Sequence, residues 1–450
     1  MTLSSADARD GDPIEPARPT RARFVVLGAL CLLSGILYLD RICISAALDS
    51  IQEDLTLSNT EGSYVLMAFT LAYGLFEIPT GRWGDRIGAR RVLTRISLWW
   101  SAFTALTGAC TGLWMLIGVR FLFGAGEAGA FPNVARVLSR WFPDEERGRA
   151  QGSLLAASAI GGAIAPFLAA LMIQVIGWRW AFVAFGGIGS AWAAGFWWWF
   201  RDDPATHPAV DAAEAAHIGR RGGAGEVHAA IPWAVVARNP SIRLLGMITA
   251  FSSFNSYIYF SWFPKYLKVA RQIPPTEAGL MASAVLGLAA VGTFAGGVLV
   301  DRIVLGGGGM VWKRRLGCAA FLGSAALLVG ALLIPDPWLA AVFTALSCSA
   351  AQSTQPLWWS AAIGVSGRHV GALFGMMNSI GVVGAMSSQY LVGALADGMG
   401  ARGFSGRAQW DPIFYIDVGV LVSAGWIWSS FRLVPVDRLD GANPKSIGSA

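Results

Sequence analysis

The sequence predicts an all-α membrane protein with twelve transmembrane helices in two pseudo-symmetric halves of six. Three observations carry this. Of 450 residues, 54% are hydrophobic and 14% charged, where a soluble chain carries about 25% charge. Twelve apolar windows come close to or exceed the roughly 20 residues that cross a bilayer. One long polar interior stretch divides them six and six.

The windows are residues 24–48, 62–80, 92–110, 113–137, 150–176, 181–200, 241–263, 278–300, 316–334, 338–363, 371–397 and 413–432. In lipid, backbone polar groups must be satisfied within the segment, so each window is expected to be helical. The runs are continuous and do not alternate, which argues against a β-barrel. The expected organisation is a tail at 1–23, a bundle at 24–200, a linker at 201–240, a second bundle at 241–432 and a tail at 433–450. Residues 1–22 are polar and proline-containing, with no short apolar core ahead of a cleavage site. The first window therefore reads as a true span and not as a cleaved signal.

Arginines set the expected orientation. They gather in the N-terminal tail, after the second span (Arg82, Arg86, Arg90, Arg91, Arg95), after the fourth (Arg140, Arg147, Arg149), in the linker and after the eighth (Arg302, Lys313, Arg314, Arg315). The opposite loops hold little beyond Arg179, Lys265, Lys268, Arg271, Arg402 and Arg407. The positive-inside rule then places both termini in the cytoplasm, with the bilayer itself as partner. The net charge of +6 reflects these loops and gives no sign of nucleic acid. Cys31, Cys43, Cys110, Cys318 and Cys348 lie in apolar segments at no metal-like spacing, and the four histidines fall in loops. Neither metal nor cofactor is expected, nor a disulfide framework. No nucleophile and base cluster, and no nucleotide loop appears, so an enzyme is not expected.

The halves repeat in detail. Gly81-Arg82-Trp83-Gly84-Asp85-Arg86 follows the second span, and Gly297-Val298-Leu299-Val300-Asp301-Arg302 follows the eighth. Both read glycine, three residues, Asp-Arg, and paired arginines follow each. Two six-helix repeats imply alternating access, with a site near midplane between the halves.

Charge also stands inside the spans: Asp40 and Arg41 in the first, Arg120 and Glu127 in the fourth. Each costs about 2.5–3.5 kcal/mol at a helix centre, so such residues face the interior and serve function by default. A purely structural ion-pair cluster is the competing reading, but buried pairs rarely outperform apolar packing. Arg120 and Glu127 share one helix face, two turns and roughly 10 Å apart. That is too far to pair without a third group. Asp40 and Arg41 are adjacent, point about 100° apart and need separate partners. Glu77, near the end of the second span, can snorkel. An arginine keeps its proton and forks onto carboxylates, so Arg41 and Arg120 suit an anion. A buried carboxyl can take up and release a proton, so Asp40 and Glu127 suit proton coupling.

The loop "GRWGDRIGARR" resembles the signature loop of the major facilitator superfamily. The resemblance implies that fold. It also implies a latch between the halves, with Gly81, Asp85, Arg86 and Arg90 in the loop, Arg136 or Arg140 beside it, and Asp301 and Arg302 at the repeat. "YLDR", "RFLFGAGEAGAFPN", "WFPDEERGRA", "SWFPKYL", "QPLW" and "MMNSIG" narrow the resemblance to the anion:cation symporter family over nearly all of residues 24–432. That implies uptake of a small organic anion, such as a sugar acid, with protons, by a monomer in a bacterial inner membrane. Asp40 and Glu127 become protonation sites, and Arg41 and Arg120 hold the anion. Tyr38, Tyr73, Trp358 and Asn378 become candidate substrate contacts. Two departures stand out. Val382 replaces an asparagine common in the family, and the fifth span, "LLAASAIGGAIAPFLAALM", is almost bare of polar groups. They point to a smaller or less hydroxylated anion. Proton-antiport efflux or exchange on the same fold, and a sensor without flux, are the alternatives; the sensor lacks a sizeable soluble segment.

Overall fold

The computed structural model describes residues 20–219, 239–307, 309–366 and 370–434, apart from the side chains of 78, 81–86, 304 and 370–372. Helices cover most of each of the twelve windows, and no strand occurs among the described residues. Spans 1 to 3 are α1 (Ala22–Asp54), α2 (Asn59–Ile87) and α3 (Ala89–Thr107). Span 4 is α4 (Leu113–Glu127) and α5 (Ala130–Trp141). Spans 5 and 6 form one helix, α6 (Asp144–Trp199), kinked at Gly177. A short helix, α7 (Ala212–Ile218), precedes the second half. There span 7 is α8 (Pro240–Ser261) with α9 (Phe263–Val269), span 8 is α10 (Pro275–Leu305) and span 9 is α11 (Met310–Leu333). Span 10 is α12 (Pro337–Gln352) with α13 (Gln355–Ser366), span 11 is α14 (Val370–Ala401) and span 12 is α15 (Gly406–Ser429).

Three spans expected as single helices are broken, each for a local reason. Gly129 sits at φ +84°, a left-handed conformation that costs other residues about 1–2 kcal/mol. A Cβ there would also lie 2.3 Å from Thr80 Oγ1. Span 7 breaks at Trp262, just before Pro264, which cannot donate to the preceding turn. Span 10 breaks at Ser353–Thr354, just before Pro356.

Thr20 donates to Asp211 (3.2 Å) and Asn239 to Val434 O (2.9 Å), so the start of α1 meets the segment before α7, and the start of α8 meets the segment after α15, at what is here the terminal end. Two seams join the halves, α2 on α14 and α6 on α10. Along the first, Tyr64 stacks on Tyr390, Thr70 Oγ1 donates to Gln389 (3.1 Å), and Val382 packs against Gly74, where a Cβ would meet it at 2.8 Å. Val382 thus fills a helix seam, which explains the departure noted at that position. The end opposite the termini is clasped. Asp397 accepts from Asn59 N and Nδ2 (3.1 and 2.7 Å) and from Thr60 N and Oγ1 (both 2.7 Å). Lys265 donates to Gln52 and to Asn59 Oδ1 (2.6 Å), and Lys268 to Ala46 O (2.9 Å) and Asp49. Towards the terminal end, beyond a contact between Glu77 and Asn378, no hydrogen bond joins the halves among the described residues.

The first part of the 201–240 stretch is docked to the first half and is not a free linker. Glu214 is buried and accepts from Thr20 Oγ1 (2.6 Å), Ala22 N (3.0 Å), Arg23 N (3.1 Å) and Arg23 Nη1 (3.0 Å). Burial opposes its charge, but these hydrogen bonds outweigh it and hold its pKa below the ordinary glutamate value. A depressed carboxylate pKa stabilises the fold above the unfolded value and loses that contribution as pH falls through the folded one. Glu214→Gln is therefore expected to lower thermal stability at neutral pH by about 1.5–3 kcal/mol. Its melting temperature should converge on the wild type as pH falls below about 4; a constant difference across that range would contradict this.

Candidate functional site

The four intramembrane charges meet in the first half, where Arg41 and Glu127 pair across helices. α1 presents Asp40 and Arg41 on different faces, as their adjacency requires. Arg41 reaches α4, donating from Nε to Glu127 Oε1 at 2.9 Å and from Nη2 to the same oxygen. Arg41 supplies the partner that Glu127 needs; as a second cation it does not compensate Arg120. Its side chain is 17% exposed, while that of Glu127 is 1% exposed. The guanidinium stacks over Tyr73 (4.7 Å), Tyr38 (5.1 Å) and Phe69 (5.3 Å).

Asp40 is fully buried, within electrostatic reach of Glu127, Arg120, Trp100 and Cys43. Both Asp40 oxygens, Trp100 Nε1, and Arg120 Nε and Nη1 are buried without a hydrogen-bond partner. Arg120 stacks instead on Phe123 (4.3 Å) and faces Phe69 (5.5 Å). Phe69 thus lies between the two guanidiniums. An aromatic quadrupole attracts both cations, by about 0.5–2 kcal/mol each. The two arginines differ in access: Arg120 is 1% exposed, whereas the Arg41 side chain is 17% exposed.

Helix ends place these groups. Glu127 closes α4, and the Gly129 break turns the chain immediately after it. Tyr38 lies one turn from Arg41 on α1, and Tyr73 faces both from α2. Asn378 on α14 is exposed and donates to Glu77, and Trp358 lies in the apolar core of the second half, 5% exposed. Of the loop residues, Gly81, Asp85 and Arg86 lie outside the described side chains. Arg90 turns to its own half: its N–H donates to Asp202 (2.9 Å), and its guanidinium holds Trp197 O and stacks on that ring at 4.4 Å. Arg136 lies on α5, and Asp301 and Arg302 are exposed near the end of α10.

Several residues at the site carry no mark in the sequence reading. Tyr257 of α8 lies within electrostatic reach of Arg41, Tyr38, Glu127 and Glu77 and is the second half's approach to the cluster. Beside it Gln352 donates to Ser256 Oγ (2.9 Å). Asp417 of α15 is fully buried and accepts from Asn255 Nδ2 (2.8 Å) and Tyr259 OH (3.4 Å). A carboxylate in an apolar window is itself the signal that could have found it.

The chain matches the family model described as Major Facilitator Superfamily over residues 30–388. It is 32% identical over 431 residues to a protein named "Probable sulfoacetate transporter SauU" from Cupriavidus necator, covering 93% of this chain and 96% of that one. It is 30% identical over 403 residues to a "D-galactonate transporter" from Escherichia coli O6:H1, covering 86% and 92%. Among solved structures it resembles a bacterial homologue of the human lysosomal transporter Spinster, inward-facing and unoccupied, with TM-score 0.75, 19% identity, and coverage of 91% of this chain and 96% of that one. A D-xylose–proton symporter structure gives TM-score 0.70 at 15% identity, covering 91% and 97%.

Proposed function

The chain belongs to the major facilitator superfamily, and within that fold we propose that it is a proton-coupled importer of a small organic anion. The twelve-span, two-half architecture and transporters of organic anions among its relatives frame the reading. The observation that carries it is the Arg41–Glu127 pair: a guanidinium already engaged by one carboxylate, part-exposed and ringed by aromatics. A substrate carboxylate or sulfonate can compete for that fork only if Glu127 gives up its share. A proton on Glu127 weakens its hold on Arg41 and frees the fork. Anion and proton therefore bind together, which is the logic of symport. Asp40 serves as a second proton site, with Arg120 buried beside it to set its field, and Arg41 holds the anion.

The positive-inside asymmetry supports a cytoplasmic terminal end. The clasp between the halves closes the opposite end. The wall formed by span 5 favours a short anion. Gly162 of α6 abuts Tyr38, where a Cβ would lie 3.3 Å from its ring, and no polar side chain follows from there to Pro166. Sulfoacetate, named for one relative, fits that wall better than a polyhydroxylated acid such as galactonate, named for another. The test is uptake of labelled sulfoacetate into reconstituted vesicles under an inward proton gradient. We expect accumulation that a protonophore abolishes, and stronger thermal stabilisation by sulfoacetate than by galactonate. At about 100 times Kd the stabilisation should approach 2.7 kcal/mol. Uptake indifferent to the protonophore would reject coupling, and counterflow driven by outward protons would favour exchange or efflux.

A further inference from the structure

We infer that Glu77 is a third proton-handling carboxylate, which carries the proton from Glu127 toward the terminal end and ties that step to the seam between the halves. The inference rests on the proton-coupled reading above. Tyr73 and Glu77 are four residues apart on α2 and share a face. Tyr73 lies 4.7 Å below the Arg41 guanidinium, which holds Glu127. Glu77 therefore sits one turn, about 5.4 Å along the axis, further toward the terminal end. The groups facing it are Arg41 from α1, Tyr73 from its own helix, Tyr257 from α8 and Asn378 from α14. Arg41 acts electrostatically on both Glu77 and Glu127, and both carboxylates act on Tyr73.

Glu77 is part-exposed, and beyond its contact with Asn378 the halves share no hydrogen bond among the described residues. It is thus placed at the edge of the buried cluster, on the side of the terminal end. The step balances simply. Protonated Glu127 gives its proton through the Tyr73 hydroxyl, which accepts one and donates one, to the Glu77 carboxylate. Glu127 is left as a carboxylate on Arg41, and neutral, part-exposed Glu77 then loses the proton to water. No electrons change hands. Because Asn378 belongs to the other half, the charge on its acceptor changes the strength of a bond across the seam. A hydrogen bond to a charged acceptor is roughly twice as strong as one to a neutral acceptor. Proton release and the fit of α2 on α14 therefore change together.

The experiment compares Glu77→Gln, Glu77→Asp and Asn378→Ala in vesicles, with labelled sulfoacetate as the probe. Glu77→Gln should slow gradient-driven accumulation about 10-fold or more. Its KM in counterflow should stay within about 3-fold of wild type. Its rate should no longer respond to internal pH. Glu77→Asp should restore most of the rate and move the midpoint of the internal-pH profile, and Asn378→Ala should keep the pH response. A wild-type accumulation rate in Glu77→Gln would overturn the inference. So would loss of counterflow and accumulation in equal proportion in Glu77→Gln and Asn378→Ala, or an unmoved pH midpoint in Glu77→Asp. Lack of gradient-driven accumulation by the wild type would instead overturn the function on which this rests.

Discussion

Vesicles carrying Glu127→Gln are expected to exchange labelled for unlabelled anion and to fail to accumulate it under a proton gradient. Glutamine keeps the oxygen that Arg41 holds through Nε and Nη2, so the pocket retains its shape. What it lacks is a removable proton. Binding and exchange do not need one, whereas gradient-driven uptake does. The accumulation ratio should fall to about 1, with counterflow reduced no more than several-fold. A purely structural Glu127 predicts a different outcome, because Arg41 would lose its anionic partner inside the bilayer. Both activities would then fall with the melting temperature. Full gradient-driven accumulation by the mutant would move the coupling role to Asp40.

Arg41→Lys should be nearly as damaging despite conserving charge. The guanidinium contacts Glu127 through two nitrogens while lying against Tyr38, Phe69 and Tyr73. An ammonium is a hydrated point charge that cannot present a planar fork or stack in the same way. Hydrogen bonds to charged groups contribute about 1.5–3 kcal/mol. With about 1.4 kcal/mol per tenfold, losing the fork should raise the KM for the anion on the order of 10- to 100-fold. Initial-rate uptake, together with the anion's thermal shift, measures it. A wild-type KM in the lysine variant would show that positive charge alone suffices.

The fold was legible because the bilayer leaves few choices. Apolar length fixed the helices, and the Asp85–Arg86 and Asp301–Arg302 repeat fixed the two halves. The site was half legible. Asp40, Arg41, Arg120 and Glu127 announce themselves because charge is costly where they stand. Their pairing does not, since Arg41 and Glu127 are 86 residues apart and only packing decides who reaches whom. Phe69, Trp100 and Tyr257 were not legible at all. Among 24 phenylalanines, 20 tryptophans and 8 tyrosines, nothing local distinguishes a ring beneath a guanidinium from one that faces lipid. The breaks at Gly129 and Trp262 depend on φ values and contacts that hydropathy does not register.

The clasp at Asp397 has a consequence for how the mouth of the protein widens. The first turn of α2 has its amides divided between two owners. Ser58 takes Glu61 N at 3.1 Å from within the same half, while Asp397 of the other half takes Asn59 N and Thr60 N. When the halves part there, that turn keeps its own cap and surrenders the borrowed one to water. The turn is therefore expected to loosen as the gap opens and to tighten as it closes. The aperture is then governed by a local order–disorder balance as well as by rocking of rigid bodies.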